Sequence, residues 1–420
     1  MTYPDSVRYL YSLGNELKSA KFGLETISTL LAALGNPQRA CRFVHVAGTN
    51  GKGSTCAMIE SGLRAAGIRT GLYTSPHLAE PTERIQVAGS PVTSEQFAGA
   101  FDLVHEAAEG LLRADAIECH PTYFETVTAM AFVLFKQLGA ETVALEVGLG
   151  GRLDATNVVT PALSVITRID FDHEAYLGRS IEAIASEKAG ILKPGIPAVL
   201  APQRPEAEAT LLARAEVTRS AILRAADWSL EECTLDPRGS SFVVARRKGE
   251  DQLRLRCPLA GEHQVENALT AAIALREVGI AREAIERGIA AAHWPGRLEL
   301  VSSRPEIILD GAHNPSGARA LVRYIERFYA HRTITLIYGA MRDKAVVEMT
   351  GILFPLADRV IATAPRQDRA TRPETIRELS GCSGVLITQT VADALKLAAD
   401  ADVVFVTGSL FIVAEARALL

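Results

Sequence analysis

Phe43-Val44-His45-Val46-Ala47-Gly48-Thr49-Asn50-Gly51-Lys52-Gly53-Ser54 reads as a buried strand that runs into a glycine-rich turn and then into a helix. Glycines let backbone amides approach a polyphosphate, and the helix that follows points its positive end at the same charge. Lys52 supplies a point charge for the terminal phosphates, and the Ser54 hydroxyl falls where a phosphate-bound magnesium sits. The spacing departs from the strict phosphate-loop pattern: Val46 stands where the first glycine belongs, and Gly53 follows the lysine. A plain turn would explain the glycines, but neither the lysine inside the turn nor the hydroxyl after it. ATP or GTP binding is therefore expected at Gly48, Thr49, Asn50, Gly51, Lys52, Gly53 and Ser54.

Outward from this loop, short β-branched runs alternate with longer helical patterns, which predicts βα units around a parallel sheet. Further strands are expected at Thr70–Thr74, Thr142–Val147, Leu163–Thr167 and Ala198–Ala201. Helices are expected at Gly53–Ala66, Ser94–Leu112, Tyr123–Leu138, Ile181–Ile191 and Pro205–Glu216. Trp228–Pro258 alternates without a helical period around Pro237-Arg238-Gly239 and Lys248-Gly249, which predicts a small antiparallel β insertion. Trp294-Pro295-Gly296 stops the next helical stretch and predicts a domain boundary. Beyond it, strands at Glu306–Leu309, Thr333–Tyr338, Arg359–Thr363, Gly384–Thr388 and Val403–Val406 predict a second, Rossmann-like doubly wound α/β domain. The expected organisation is thus an ATP-binding domain over residues 1–295 and a smaller one over 296–420. A chain of 420 residues exceeds one ordinary core, in keeping with two domains.

Composition narrows the function. Lys and Arg number 44 against 49 Asp and Glu, a net charge of -5, so no chain-wide nucleic-acid footprint is expected and any anion must be held locally. Six cysteines lie scattered without a paired motif, which predicts reduced thiols in a cytoplasmic protein. No apolar run reaches the ~18 residues of a membrane span, and the N-terminus lacks a signal-peptide pattern. No membrane or nucleic-acid partner is expected, and the chain is expected to be a monomer.

Residues just beyond strand ends are where such sheets bind ligands. Glu146 ends an apolar strand and suits a magnesium ion, which wants hard oxygen ligands. Ser75 follows another strand and precedes Pro76. Lys188 has Ile181, Ile184 and Ala185 on its own helix face, where a free ammonium is costly; a salt bridge or loss of the charge would relieve it. Pro121-Thr122-Tyr123-Phe124-Glu125 offers an aromatic ring with polar neighbours for a flat ligand, although the same residues could simply start a helix.

Taken with the loop, Ser75-Pro76-His77-Leu78, the run Leu145–Asn157, Glu187-Lys188-Ala189-Gly190-Ile191 and Asp310-Gly311-Ala312-His313-Asn314-Pro315 resemble the Mur ligases. Within them, the closest resemblance is to the folylpolyglutamate synthase/dihydrofolate synthase family. That resemblance implies an ATP-dependent ligase that joins L-glutamate to dihydropteroate or reduced folates. It implies one magnesium ion at Ser54, Ser75 and Glu146 and a second at His173, with Lys188 carbamylated to an anionic oxygen ligand. It also implies nucleotide contacts for Asn267, Arg297 and Asp310, a role near the γ-phosphate or glutamate for His313, pterin contacts for Thr122, Phe124 and Asp154, and a glutamate-side role for Ser409. Lys52, Lys188 and His313 are the implied catalytic residues. The expected route passes through an acyl phosphate, with closure of two domains keeping water away from it. Two rivals remain open: a peptidoglycan-type amino-acid ligase and a regulatory NTPase.

Overall fold

A computed structural model describes residues 1–14, 23–246 and 252–420. The chain divides into two compact units, one of Met1–Ser229, Val244–Leu253 and Glu266–Ala291, the other of Leu230–Val243, Arg254–Val265 and Ala292–Leu420. The last join, at 291/292, lies close to the expected boundary. The β insertion is shared between the units rather than belonging wholly to the first.

The first unit is built on eight strands: β1 (Arg42–Ala47), β2 (Thr70–Tyr73), β3 (Ile85–Val87), β4 (Ser90–Pro91), β5 (Thr142–Glu146), β6 (Leu163–Ile166), β7 (Ala198–Leu200) and β8 (Ile222–Arg224). Their order is β4-β3-β2-β5-β1-β6-β7-β8. From β2 to β8 every neighbouring pair is parallel, while β3 and β4 add an antiparallel edge. Strands β2, β5 and β6 are buried along their whole length, and β1 is buried after Arg42. That burial explains why they are mostly apolar on both faces rather than cleanly alternating. Edge strands β3 and β4, of three and two residues, are too short to show a period and were not expected. Nor were the helices Tyr3–Ser12, Glu25–Ala33 and Arg282–Ala290.

Register fixes where chemistry can gather. Val46 pairs with Glu146, Ala47 with Ile166, and Tyr73 with Leu145. The carboxyl ends of β1, β2, β5 and β6 therefore finish within about a residue of one another, and the Gly48–Ser54 loop, Ser75, Glu146 and Thr167 emerge at one rim.

Behind the loop, the helix Lys52–Ala65 is buried over most of its length. Helix Arg282–Ala290 crosses it so closely that a Cβ on Gly288 would lie 2.3 Å from the Gly62 Cα. The Ser61 hydroxyl donates to the Gly288 carbonyl at 2.7 Å. Since backbone atoms cannot rotate away, Gly288→Ala should destabilise the protein by about 1–3 kcal/mol. Chemical denaturation checks this; an unchanged midpoint and slope would contradict the packing.

Strands β9 (Trp228–Asp236), β10 (Gly239–Arg246) and β11 (Gln252–Cys257) form a separate sheet in the order β11-β10-β9. They match the expected insertion, with Pro237-Arg238 between the first two strands. The expected turn at Lys248-Gly249 lies outside the described residues.

The second unit carries β12 (Glu299–Ser303), β13 (Glu306–Leu309), β14 (Ile334–Tyr338), β15 (Arg359–Ala362), β16 (Leu386–Ile387) and β17 (Val403–Thr407), ordered β12-β13-β17-β14-β15-β16. The five expected strands are present and pair in parallel. Ahead of them β12 was not expected. It pairs antiparallel with β13 through a register shift between Leu300 and Ser302, making the sheet mixed. Its residues are only partly buried, so it lacks the apolar signature of the others.

Candidate active site

The phosphate loop is held from below. The amides of Thr49 and Asn50 donate to the Arg168 carbonyl at 3.0 and 3.3 Å. The Thr49 hydroxyl accepts from the Asp170 amide at 3.1 Å and donates to the Asp170 carbonyl at 2.9 Å. These two amides therefore brace the loop. The amides of Lys52 and Gly53, in the first helical turn, have no acceptor within the helix and are the ones suited to phosphate oxygens. Gly48 and Gly51 adopt φ of 153° and 87°. A Cβ on Gly48 would meet the Thr167 Oγ1 at 1.8 Å, and one on Gly51 would meet the Asn267 Oδ1 at 2.3 Å. Asn267 thus lies against the loop. The Lys52 ammonium turns back to the Thr49 carbonyl at 3.2 Å.

Ser75 and Glu146 meet at the same rim: the Ser75 amide donates to the Glu146 Oε2 at 3.1 Å. Glu146 is 4% exposed and Ser54 2%, so both oxygens sit in a protected place. Charges on Glu146 and Lys52 both act on the buried Cys56 thiol, whose pKa burial pushes well up; carboxylate and ammonium thus flank the first turn of the helix. Hard oxygen donors beside a phosphate loop fit magnesium.

Lys188 is buried, and its ammonium donates to the Gly48 carbonyl at 2.8 Å. Desolvation first, and then the Lys52 charge, push its pKa down to about 7, against weaker pulls from Asp172, Asp154 and Glu187. The partner of its ammonium is thus a backbone carbonyl. His173 stands at φ 51°, its Nε2 3.8 Å from Asp172 Oδ1. Asp170 and Asp172 were passed over in the sequence, where only the histidine of Asp170-Phe171-Asp172-His173 stood out. Their position after β6 was the available signal.

On the substrate side, Thr122 and Glu125 form a reciprocal cap at the start of helix Tyr123–Gln137. The Thr122 hydroxyl accepts from the Glu125 amide, and Glu125 accepts from the Thr122 amide. Phe124 is half-buried, with its ring over Gly148, where a Cβ would meet its Cζ at 2.5 Å. Asp154 is buried, and its carboxylate accepts from the Leu149 and Thr156 amides and the Thr156 hydroxyl. Burial nevertheless raises its pKa. Thr122 and Asp154 thus hold their own loops through these bonds, and the Phe124 ring lies against Gly148.

Within the second unit, Arg297, Asp310 and His313 come together. Asp310 accepts from the Leu298 and Ala312 amides, both at 3.1 Å, and burial raises its pKa against the opposing charges of Arg297 and His313. The Arg297 guanidinium crosses Gly311, where a Cβ would lie 2.5 Å from its Nη1. Ser409 is the N-cap of helix Leu410–Leu419 and accepts from the Ile412 amide at 3.2 Å. The sequence had matched it to the glutamate region; its hydroxyl oxygen is engaged in starting that helix.

Family models match on both halves: residues 46–275 fit the Mur ligase middle domain and residues 296–410 the Mur ligase glutamate ligase domain. The chain belongs to the Mur ligases, in the folylpolyglutamate synthase/dihydrofolate synthase family. It is 36% identical to the Bacillus subtilis dihydrofolate synthase/folylpolyglutamate synthase over 94% of each protein. It is 37% identical to a probable bifunctional folylpolyglutamate synthase/dihydropteroate synthase of Halobacterium salinarum, of which it spans 51%. A Mycobacterium tuberculosis folylpolyglutamate synthase complexed with ADP and AMPPCP superposes with a TM-score of 0.91 at 31% identity, covering 99% of this chain and 98% of that one. Escherichia coli FolC in complex with DHPP and ADP gives 0.89 at 33%, covering 100% and 97%. The ligase is an ATP-dependent enzyme, and the regulatory NTPase reading falls. Among the described residues, no helix is long and apolar enough to cross a membrane, and all six cysteines are free thiols.

Proposed function

We propose that the ligase carries out both folate ligations, adding L-glutamate first to dihydropteroate and then to reduced folates, as a cytoplasmic monomer. The observation that carries this reading is the shared rim of β1, β2 and β5, where the phosphate loop, Ser75 and Glu146 stand together. The substrate carboxylate attacks the γ-phosphate of ATP, releasing ADP and forming an acyl phosphate. The amine of glutamate then attacks the acyl carbon, and collapse of the tetrahedral intermediate yields amide and phosphate. Lys52 faces the transferred phosphoryl group, and the first-turn amides of Lys52 and Gly53 orient the phosphates. Ser54, Ser75 and Glu146 would hold a magnesium ion, which neutralises charge on the phosphates when bound. Phe124 offers a stacking face to the pterin. Arg297 and His313 act on the phosphoryl group and the incoming glutamate, and Asp310 orients Arg297.

Mass spectrometry of products from dihydropteroate, and separately from tetrahydrofolate, with ATP and glutamate tests the dual activity. Both amides are expected, and phosphate release should require the pteroyl acid and glutamate together. Product from one acid alone would restrict the reading to a single ligation.

Lys188 is proposed to carry a carbamate, formed when its neutral amine attacks carbon dioxide and loses a proton. Burial beside Lys52 favours this, because the modification replaces a crowded cation with an anion. A carbamate oxygen beside Asp172 and His173 would complete a second magnesium site, for which a histidine nitrogen alone is a poor donor. Intact mass measured under bicarbonate should show one added carbon dioxide, absent from Lys188→Met; no addition contradicts the proposal.

In carbon-dioxide-free buffer a separate pH effect is expected. The folded-state pKa of about 7 lies below the unfolded 10.5, so across that window the unfolded chain binds more protons and stability rises with pH. The unfavourable burial is fully felt below about pH 7. Lys188→Met should flatten this rise in a series of denaturation curves, and an unchanged slope would show that the lysine is not the source.

A further inference from the structure

Away from the phosphate loop, helix Ser94–Arg113 carries His105 and Glu109 four residues apart on one face. His120 lies across from them, on the segment leading to Pro121 and Thr122. One donor atom from each of the three side chains falls within 4.8 Å of the others. His105 Nδ1 and His120 Nε2 are both buried and have no hydrogen-bond partner. Orphaned buried imidazole nitrogens are uncommon, because burying a polar atom unpaired is costly.

The tautomer of His120 is set by its neighbour. Nδ1 lies 2.9 Å from the Pro121 carbonyl, which can only accept, so Nδ1 carries the proton and Nε2 presents a lone pair. That lone pair is 4.0 Å from Glu109 Oε1. A backbone carbonyl fixing one ring nitrogen while the other points into a cluster is the usual support of a metal-bound histidine. The His105 ring is clamped, stacked on Phe101 at 5.4 Å and met edge-on by Tyr9 at 4.7 Å. Packing alone accounts for the ring positions, but not for two unpaired buried nitrogens in a cluster that also holds a carboxylate.

We infer that His105, Glu109 and His120 form a binding site for a borderline divalent cation of the zinc class, separate from the magnesium chemistry of the phosphate loop. Two imidazole nitrogens and one carboxylate suit zinc or cobalt, whereas magnesium and calcium prefer oxygen throughout. Tetrahedral zinc with bonds of about 2.0–2.2 Å needs donors about 3.3–3.5 Å apart, so the carboxylate of half-exposed Glu109 must close by a small side-chain rotation. Water completes the fourth position. The ion would tie helix Ser94–Arg113 to the residues that lead into the Thr122 cap, and so steady the helix bearing Phe124. Nothing in this assignment depends on the ligase mechanism.

The test is a titration of the full chain with Co2+, read by its visible d–d absorption, followed by displacement with Zn2+. One equivalent should produce a tetrahedral spectrum. His120→Ala and Glu109→Gln should each abolish it with far-ultraviolet circular dichroism unchanged, while His173→Ala should leave it intact. Zn2+ should raise the melting temperature of the parent chain but not of His120→Ala. The assignment is overturned if no visible band forms, if the band survives His120→Ala, or if it disappears in His173→Ala.

Discussion

Lys52→Ala should lower kcat/KM by about a hundred- to a thousandfold, equivalent to about 2.7–4 kcal/mol of transition-state stabilisation. The reasoning rests on where the side chain is and what little it does for the fold. Lys52 is only partly buried, and its ammonium is satisfied by one carbonyl, that of Thr49, at 3.2 Å. Removing it strips a cation from the mouth of the phosphate loop while leaving the Arg168 and Asp170 anchors of Thr49 intact. The melting temperature should move by no more than a degree or two. Because Lys52 also contributes to the low pKa of Lys188, the same variant should, in carbon-dioxide-free buffer, raise the pH at which that lysine loses its proton. Amide formation at the parent rate would remove the loop lysine from the mechanism.

Glu146 is the second position with a large expected effect, and two substitutions separate its roles. Glu146→Gln keeps an oxygen to accept the Ser75 amide but removes the charge a cation would need. Turnover should fall at least about a hundredfold, with more magnesium required for half-maximal rate and the fold preserved. Glu146→Ala removes the acceptor as well, leaving the Ser75 amide unpaired at a buried strand end. It should lose about 1–3 kcal/mol of stability in addition to activity. Steady-state rates across a magnesium series, paired with denaturation, distinguish the two. If Glu146→Gln kept parental turnover and magnesium dependence, the carboxylate would be only a structural acceptor.

The central strands were legible because they are buried on both faces, and the insertion strands, of which β9 is mostly exposed, because their alternation is framed by turn residues. Strands β1, β5 and β6 announce themselves because short segments of four to six residues dominated by apolar and β-branched side chains have few other uses. Strands β3, β4 and β12 are short or half-solvated, so pairing with a neighbour rather than composition creates them. At the site, the same contrast holds. The Gly48–Ser54 loop, Ser75 and Glu146 were identifiable as positions because each lies at or just beyond the end of a strand. How their groups divide the work was not: the amides of Thr49 and Asn50 serve the Arg168 carbonyl, and that depends on contacts more than a hundred residues away in sequence. Thr122, Asp154 and Ser409 were matched to substrate by motif, and what the residues alone did not reveal is that their side chains also cap helices or close loops. A residue type suited to ligand binding is often equally suited to ending a turn. His105, Glu109 and His120 left no motif at all, since the third member arrives from a separate loop.

The central claim is that the phosphate loop delivers the γ-phosphoryl group of ATP to a substrate carboxylate. Heavy-oxygen labelling of the carboxylate of dihydropteroate tests it most directly, with the released phosphate analysed after a single turnover. Passage through an acyl phosphate requires one labelled oxygen to appear in inorganic phosphate and one to remain in the new amide. Phosphate free of label, with amide formed at the normal rate, would contradict the account.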